Sequence, residues 1–193
     1  MRFFVVLCVL GWALVLGSAP SGAAGRVVVS DLGGARVAPL EVGKAKGVVL
    51  VFITNDCPIA NACAPEIERI YRAYAAKQVR FYLVYVDASL TAAAAGAHHK
   101  AYAYTCPAVL DPDHRLVKAG RALVTPEASL FDAKGDLIYH GRIDDRAVAF
   151  GKVRAQPTQR DLRMALDAFV QGKPVAKPYL KAVGCSIADL GRK

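Results

Sequence analysis

An unbroken apolar run that ends just before a cysteine restricts the folds open to this chain. Residues 48–53 (VVLVFI) are all apolar and mostly β-branched, which is typical of a strand buried on both faces beneath helices. After Cys57, apolar side chains recur every three or four residues, as one face of a helix requires. The sequence therefore predicts an α/β fold with Cys57 between a buried strand and the first turn of a helix.

Other segments predict further strands and helices around this unit. They are a strand at residues 26–30, a strand at 79–86, an alanine-rich helix at 92–104 and a hairpin at 128–142. Thr158 and Asp161 resemble a capping box at the start of a last helix. Strands alternate with helices and no repeat is evident, which predicts one domain with a parallel or mixed sheet.

The first 24 residues have the pattern of a secretory signal. Arg2 precedes an apolar run from Phe3 to Leu16, and small residues follow up to Ala24. The run is shorter than the roughly 18 residues that span a bilayer, so cleavage near Ala24 is favoured over a retained anchor. We expect a periplasmic protein without a membrane span, made of a domain at residues 25–172 and a tail at residues 173–193.

Charge and composition limit the classes of partner. The chain has 25 Lys and Arg residues against 16 Asp and Glu residues, a formal net charge of +9. The basic residues are scattered and do not alternate with aromatic residues, so a nucleic-acid partner is not expected. His98 and His99 are adjacent and would point to different faces of a helix, which favours a solvated pair over a metal site. Neither a metal nor a cofactor is expected.

Cysteine is the residue type that could carry chemistry. Besides Cys8 in the signal, the chain has Cys57, Cys63, Cys106 and Cys185. At the start of a helix, backbone N–H groups and the helix dipole stabilise the thiolate of Cys57, although Asp56 opposes them with its negative charge. Cys63 lies roughly 9 Å further along the same helix, too far for a disulfide unless the first turn melts. The sequence leaves the disulfide connectivity open.

These motifs resemble those of the thioredoxin-like redoxins, a group that includes thiol-specific antioxidant proteins and periplasmic thiol-disulfide oxidoreductases. The matching segments are residues 52–66 (FITNDCPIANACAPE), 110–111 (LD), 125–127 (TPE), 139–145 (YHGRIDD) and 184–187 (GCSI). The resemblance implies a thioredoxin-like three-layer α/β/α fold with a central mixed sheet. It also implies that Cys57 occupies the position of the N-terminal active-site cysteine and that Thr125 and Pro126 form a cis-proline segment packed against it. We expect the sulfur of Cys57 to be exposed.

The sequence departs from that group at a position that matters for the reaction. Ala60 stands where the second cysteine of a C-x-x-C pair would be. Resolution by a neighbour three residues away is therefore excluded. The remaining candidates are Cys63, Cys106, Cys185 and an external thiol, and each of the three cysteines could instead be structural.

Part of the peroxiredoxin signature is also present. Thr54 precedes Cys57 at the spacing of that signature, but Leu50 stands where its proline is expected. Arg142 is a candidate for polarising a peroxide. We expect a thiol-disulfide oxidoreductase that acts on protein or small-molecule thiols and disulfides. A thiol peroxidase acting on peroxides, and a non-catalytic metal- or protein-binding module, are the alternatives.

Overall fold

The structure, a computed structural model, describes residues 26–188 and residue 190, so the predicted signal at residues 1–24 lies outside the described part. The helices of this part are α1 (Pro58–Ala75), α2 (Ala92–Ala101), α3 (Arg115–Gly120) and α4 (Asp161–Val170). Its strands are β1 (Val29–Asp31), β2 (Arg36–Val37), β3 (Gly47–Ile53), β4 (Val79–Tyr85), β5 (Ala108–Leu110), β6 (Val124–Thr125), β7 (Glu127–Asp132), β8 (Leu137–Gly141), β9 (Ala147–Ala149), β10 (Lys152–Val153), β11 (Tyr179–Leu180) and β12 (Cys185–Ser186).

A mixed sheet of eight strands forms the middle layer, in the order β11-β8-β7-β3-β4-β5-β1-β2. β3 is central, parallel to β4 and antiparallel to β7. Every residue of β3 is buried, as the apolar run predicts. β3 ends at Ile53, and the short loop that carries Cys57 follows its carboxyl end.

Helices cover both faces of this sheet. Side chains of β3 alternate between the faces, because successive residues of a strand point in opposite directions. Val49, Val51 and Ile53 belong to the cluster that includes buried residues of α1, α2 and α4. The intervening residues belong to a second cluster, which includes Leu116 and Val117 of α3. The predicted three-layer α/β/α architecture with a central mixed sheet is confirmed.

α1 begins directly after Cys57, as predicted. Pro58 occupies its first turn, where a missing N–H costs nothing because the first backbone donors of a helix have no helical partner. Cys57 is the N-cap, and its side chain accepts a hydrogen bond from the N–H of Ala60. A thiol thus occupies the place usually taken by a capping hydroxyl or carboxylate.

Two predictions about helix ends are wrong. α2 ends at Ala101 rather than Tyr104, because the chain turns at Ala103, which has a φ of 52°. Thr158 does not cap α4, since its hydroxyl donates to the carboxylate of Asp145 instead. The N-cap of α4 is Arg160, which makes no side-chain capping bond.

The segment predicted as a tail folds back onto the domain. β11 pairs with the sheet edge at β8, and β12 pairs antiparallel with β6. Gly184 packs so closely that a Cβ there would lie 2.2 Å from the carbonyl oxygen of Thr125. The C-terminal segment therefore covers the end of the sheet where Cys57 lies. Among the described residues, no helix is both long and apolar enough to cross a bilayer.

Candidate active site

Cys57 lies where β3 passes into α1. The N–H of Ala60 donates to its Sγ at 3.4 Å, and the thiol donates to the carbonyl oxygen of Thr125 at 3.0 Å. The Ala60 donor belongs to the first helical turn, whose N–H groups are free to bind an anion. This position stabilises a thiolate, as the sequence predicts.

The expectation of an exposed sulfur is wrong, because Cys57 is only 1 % exposed. Cys185 pairs with Thr125, and Ser186 pairs with Val124, in the ladder of β12 and β6. This pairing places both the backbone and the side chain of Cys185 against the sulfur of Cys57. The sulfur is therefore covered by the chain's own C-terminal segment, which itself carries a cysteine.

Thr125 and Pro126 form another wall of the site. The peptide bond between them is cis, as the resemblance implies. Thr125 is fully buried, and its Oγ1 lies 3.3 Å from Oγ1 of Thr54. The structure thus brings the predicted residues Cys57, Thr54, Thr125 and Pro126 together.

The two neighbouring cysteines differ in their pKa values. Burial raises the pKa of Cys57, but hydrogen bonds from the Cys185 thiol, the Ala60 N–H and the Thr125 hydroxyl together hold it below its usual value. Burial and the hydrogen bond to Cys57 raise the pKa of Cys185 to about 12. Cys57 therefore ionises first, while Cys185 stays protonated and donates a hydrogen bond to the thiolate.

The other two cysteines lack these features. Cys63 and Cys106 are buried free thiols. Burial, with a contribution from Asp144, raises the pKa of Cys63 to about 12. Burial, with a contribution from Glu68, also raises the pKa of Cys106. Of the candidate resolving cysteines, Cys185 is the one whose side chain lowers the pKa of Cys57.

A cleft of about 370 Å³ opens beside the cysteine pair. Its walls include Thr54, Asp56, His114, Cys185 and Ser186, and the described residues that line it include neither lysine nor arginine. Because Cys185 is half-buried and Cys57 is almost fully buried, the sulfur at the cleft wall is that of Cys185.

Arg142 does not lie where a peroxide-polarising group would be needed. Its Nε is 2.6 Å from Oδ2 of Asp161, at the start of α4. The groups that lower the pKa of Cys57 are thiol, hydroxyl and backbone donors, without an arginine among them. The structure therefore gives Arg142 a role in holding β8 to α4.

His98 and His99 are not the solvated pair that the sequence predicts. His98 Nε2 lies 2.9 Å from Oδ1 of Asn61, and His99 Nε2 lies 2.8 Å from the carbonyl oxygen of Cys106. Asn61 was not among the predicted site residues, although it lies in the matching motif, one turn after Cys57. Within residues 26–188 and 190, no group of three or more His, Cys, Asp or Glu side chains could hold a metal ion.

The model of the AhpC/TSA family matches residues 23–140. The fold is similar to that of a hypothetical protein from Sinorhizobium meliloti 1021, with 27 % identity and a TM-score of 0.71, over 85 % of this chain and 91 % of that one. An uncharacterized conserved protein from Geobacillus kaustophilus shows 25 % identity and a TM-score of 0.72, over 83 % of this chain and 86 % of that one.

A secreted disulfide oxidoreductase from Mycobacterium tuberculosis, homologous to E. coli DsbE, has 20 % identity and a TM-score of 0.50, over 76 % of this chain and 96 % of that one. No curated protein sequence shows a significant match to this chain. The structural similarities confirm the thioredoxin-like fold.

Proposed function

The chain belongs to the AhpC/TSA family, and from this premise we propose that it is a thiol-disulfide oxidoreductase in which Cys57 and Cys185 alternate between two thiols and one intramolecular disulfide. The observation that carries the proposal is the ladder of β12 and β6, which pairs Cys185 with Thr125, the residue whose carbonyl oxygen accepts from the thiol of Cys57, although Cys185 is far from Cys57 in sequence. The lowered pKa of Cys57 supports its role as the attacking sulfur, because the thiolate is the nucleophile in disulfide exchange.

The reaction proceeds through a mixed disulfide. The Cys57 thiolate attacks one sulfur of a substrate disulfide, the substrate S–S bond breaks, and one half leaves as a thiolate that takes a proton from water. The Cys185 sulfur then loses its proton and attacks Sγ of Cys57, which releases the second half as a thiol. The two cysteines are oxidised to a disulfide, and the substrate disulfide is reduced to two thiols. A substrate dithiol drives the same steps in reverse.

Substrate reaches Cys57 when β12 leaves β6. β12 is two residues long, and elements held by so few backbone hydrogen bonds open at a small fraction of the global unfolding free energy. Its departure uncovers Cys57 and removes Cys185 until the mixed disulfide has formed. The cleft beside the pair has the volume of a small-molecule site, and the uncovered edge of β6 could accept an extended protein segment.

The test is to locate the disulfide by mass mapping after equilibration in thiol-disulfide buffers. We expect a Cys57–Cys185 linked peptide in the oxidised protein and two free thiols in the reduced protein. Cys63→Ser and Cys106→Ser are matched controls, since these buried thiols should leave both results unchanged. Reduction of a small disulfide substrate should stop in Cys57→Ser. Pairing of Cys57 with another cysteine, or the absence of any pairing, would contradict the proposal.

The same protein variants distinguish the oxidoreductase from the two alternative functions, a thiol peroxidase and a metal-binding module. Hydrogen peroxide consumption that depends on Cys57, without disulfide reduction, would indicate a thiol peroxidase. Stoichiometric binding of Cu(I) that is lost in Cys57→Ser would indicate a metal-binding module. Either result would replace the oxidoreductase proposal.

We also propose that the protein is exported to the periplasm and cleaved near Ala24. The support is the apolar run from Phe3 to Leu16 with small residues after it. An oxidising compartment would suit a protein that cycles through a disulfide. The N-terminal residue of the protein recovered from a periplasmic fraction tests this, and a chain that keeps Met1 would contradict it.

A further inference from the structure

A chain of side-chain hydrogen bonds runs from the core to the loop that precedes Cys57. The hydroxyl of Tyr85, at the end of β4, is 2.9 Å from Nδ1 of His98 in α2. Nε2 of His98 is 2.9 Å from Oδ1 of Asn61 in α1. Nδ2 of Asn61 is 3.0 Å from the carbonyl oxygen of Asn55. Three elements are thus connected to the backbone just before the reactive sulfur.

The partners determine the direction of each bond. The carbonyl oxygen of Asn55 can only accept, so Asn61 turns its Nδ2 toward Asn55 and its Oδ1 toward His98. Because that Oδ1 also only accepts, Nε2 of His98 carries a proton. Burial, with the neighbouring charge of His99, lowers the pKa of His98 and favours the neutral ring. Nδ1 is then the acceptor for the hydroxyl of Tyr85.

Aromatic rings hold the imidazole of His98 in place. The ring of Tyr85, which is fully buried, lies edge-on to it, with centroids 5.6 Å apart and an interplanar angle of 87°. The ring of Tyr102 is 4.5 Å away, centroid to centroid. A side chain fixed by packing and by two hydrogen bonds can orient a partner with little loss of entropy.

We propose that His98 is a positioning residue for Cys57, acting through the amide of Asn61. The amide fixes the carbonyl of Asn55, and this sets the short loop that brings Cys57 to the N-cap of α1. From that position Sγ accepts the N–H of Ala60 at 3.4 Å, a long bond that a small displacement would weaken. The inference rests on the proposed function, in which Cys57 is the nucleophile.

The test compares the pH dependence of Cys57 alkylation in reduced variants, with the modified peptide quantified by mass spectrometry. His98→Phe keeps a ring but removes both hydrogen bonds. We expect its rate constant at pH 7 to fall about fivefold, the equivalent of one hydrogen bond, while the plateau at high pH is unchanged. His98→Gln, which keeps a donor toward Asn61, should recover most of the rate.

Two comparisons separate positioning from a general structural effect. His99→Phe is the matched control, because His99 is on the same helix but bonds to the carbonyl of Cys106. Its rate should equal that of the unchanged protein. Asn61→Ala should reproduce the loss seen in His98→Phe, and the double variant should lose no more than either single variant. Equal losses in His98→Phe and His99→Phe, or additive losses in the double variant, would overturn the proposal.

Amide hydrogen exchange tests the positioning role of His98 independently of thiol chemistry. The N–H of Asn61 donates to the carbonyl oxygen of Cys57 at 2.9 Å, in the first turn of α1. Its exchange should be faster in His98→Phe than in His99→Phe. An unreactive Cys57 in the unchanged protein would count against the proposed function, while unaltered exchange would count against the role of His98. If His98→Phe does not fold, Asn61→Ala replaces it as the variant that loses the connection, and His98→Gln is the variant that keeps it.

Discussion

Cys57 and Cys185 have the same side chain, but their surroundings give them different chemistry. Cys57 receives hydrogen bonds from backbone and side-chain donors, whereas Cys185 faces the charge of Cys57 and of Asp56. A thiolate can only accept hydrogen bonds, so the protonated Cys185 is one of the donors, with Ala60 and Thr125, that lower the pKa of Cys57. One residue thus has two roles in the proposed cycle, first stabilising the thiolate and then attacking its mixed disulfide.

Substitutions at Cys185 separate these two roles. Both Cys185→Ser and Cys185→Ala prevent the disulfide, but only serine keeps a donor toward Cys57. We expect the pH midpoint of Cys57 alkylation to be higher in Cys185→Ala than in Cys185→Ser, because the donor favours the ionised form. The measurement is the rate of Cys57 alkylation between pH 5 and pH 10. Coincident midpoints would show that the Cys185 side chain does not stabilise the thiolate.

At the scale of elements, the pairing of β12 with β6 controls access to the sulfur. The two strands approach closely because Gly184 has no side chain. A Cβ at this position would lie 2.2 Å from the carbonyl oxygen and 2.7 Å from the carbonyl carbon of Thr125. The obstacle is the backbone of a paired strand, which cannot move aside as a flexible side chain could.

Gly184→Ala should therefore release β12 and uncover Cys57. We expect a bulky maleimide to modify Cys57 faster, on the order of tenfold if opening becomes easier by about 1.4 kcal/mol. Gly96→Ala is the control, since a Cβ at Gly96 in α2 meets nothing within 4 Å. The rates are measured on reduced protein by peptide mass analysis. Equal rates in both variants would mean that β12 does not limit access.

Helix α1 is also held at its middle, by a buried carboxylate. Glu66 is 4 % exposed and pairs with Arg163 of α4 at 2.6 Å and with Arg69 at 2.9 Å. Burial raises the pKa of Glu66, but these arginines together hold it below its usual value. The carboxylate thus joins the helix that begins at the active site to the last helix of the domain.

Glu66→Gln should lower the free energy of unfolding at pH 7 by about 2 kcal/mol, less than the roughly 3–5 kcal/mol of a fully buried pair because the arginines reach solvent. A carboxylate with a lowered pKa stabilises the fold above its unfolded pKa, and this contribution is lost as the pH falls through the folded pKa. Urea unfolding should show a constant difference down to about pH 5 and a shrinking one below it. The exposed pair of Glu41 with Arg26 provides the control, Glu41→Gln. A difference that grows in acid would contradict this account.

Elements with a local pattern were predictable from the sequence, and those made by long-range pairing were not. β3 and α1 have apolar periodicities of their own, so they and the position of Cys57 follow from short windows of sequence. β6 and β12 are two residues each, too short for any periodicity, and they exist because distant segments meet. The burial of Cys57 depends on that pairing, and for this reason the sequence predicted an exposed sulfur.

For the molecule as a whole, the proposed disulfide would join the first helix to the C-terminal segment. Cys57 follows the central strand, and Cys185 follows every large element of the fold. The covalent loop would therefore contain five of the eight strands of the sheet and all four of the helices described. Its main thermodynamic effect would be on the unfolded chain, because cross-linking distant residues removes many unfolded conformations.

Oxidation should accordingly stabilise the folded protein. A loop of roughly 130 residues corresponds to about 5 kcal/mol in the chain-entropy relation, which for a domain of this size shifts the melting temperature by roughly 10–20 °C. Thermal unfolding of the oxidised and the reduced protein measures the shift, and Cys185→Ser should melt at one temperature in both conditions. Since a disulfide that stabilises the fold is stabilised by folding in return, the size of the shift also measures how strongly folding favours the oxidised pair. Equal melting temperatures, with the disulfide shown to be present, would contradict the expected stabilisation.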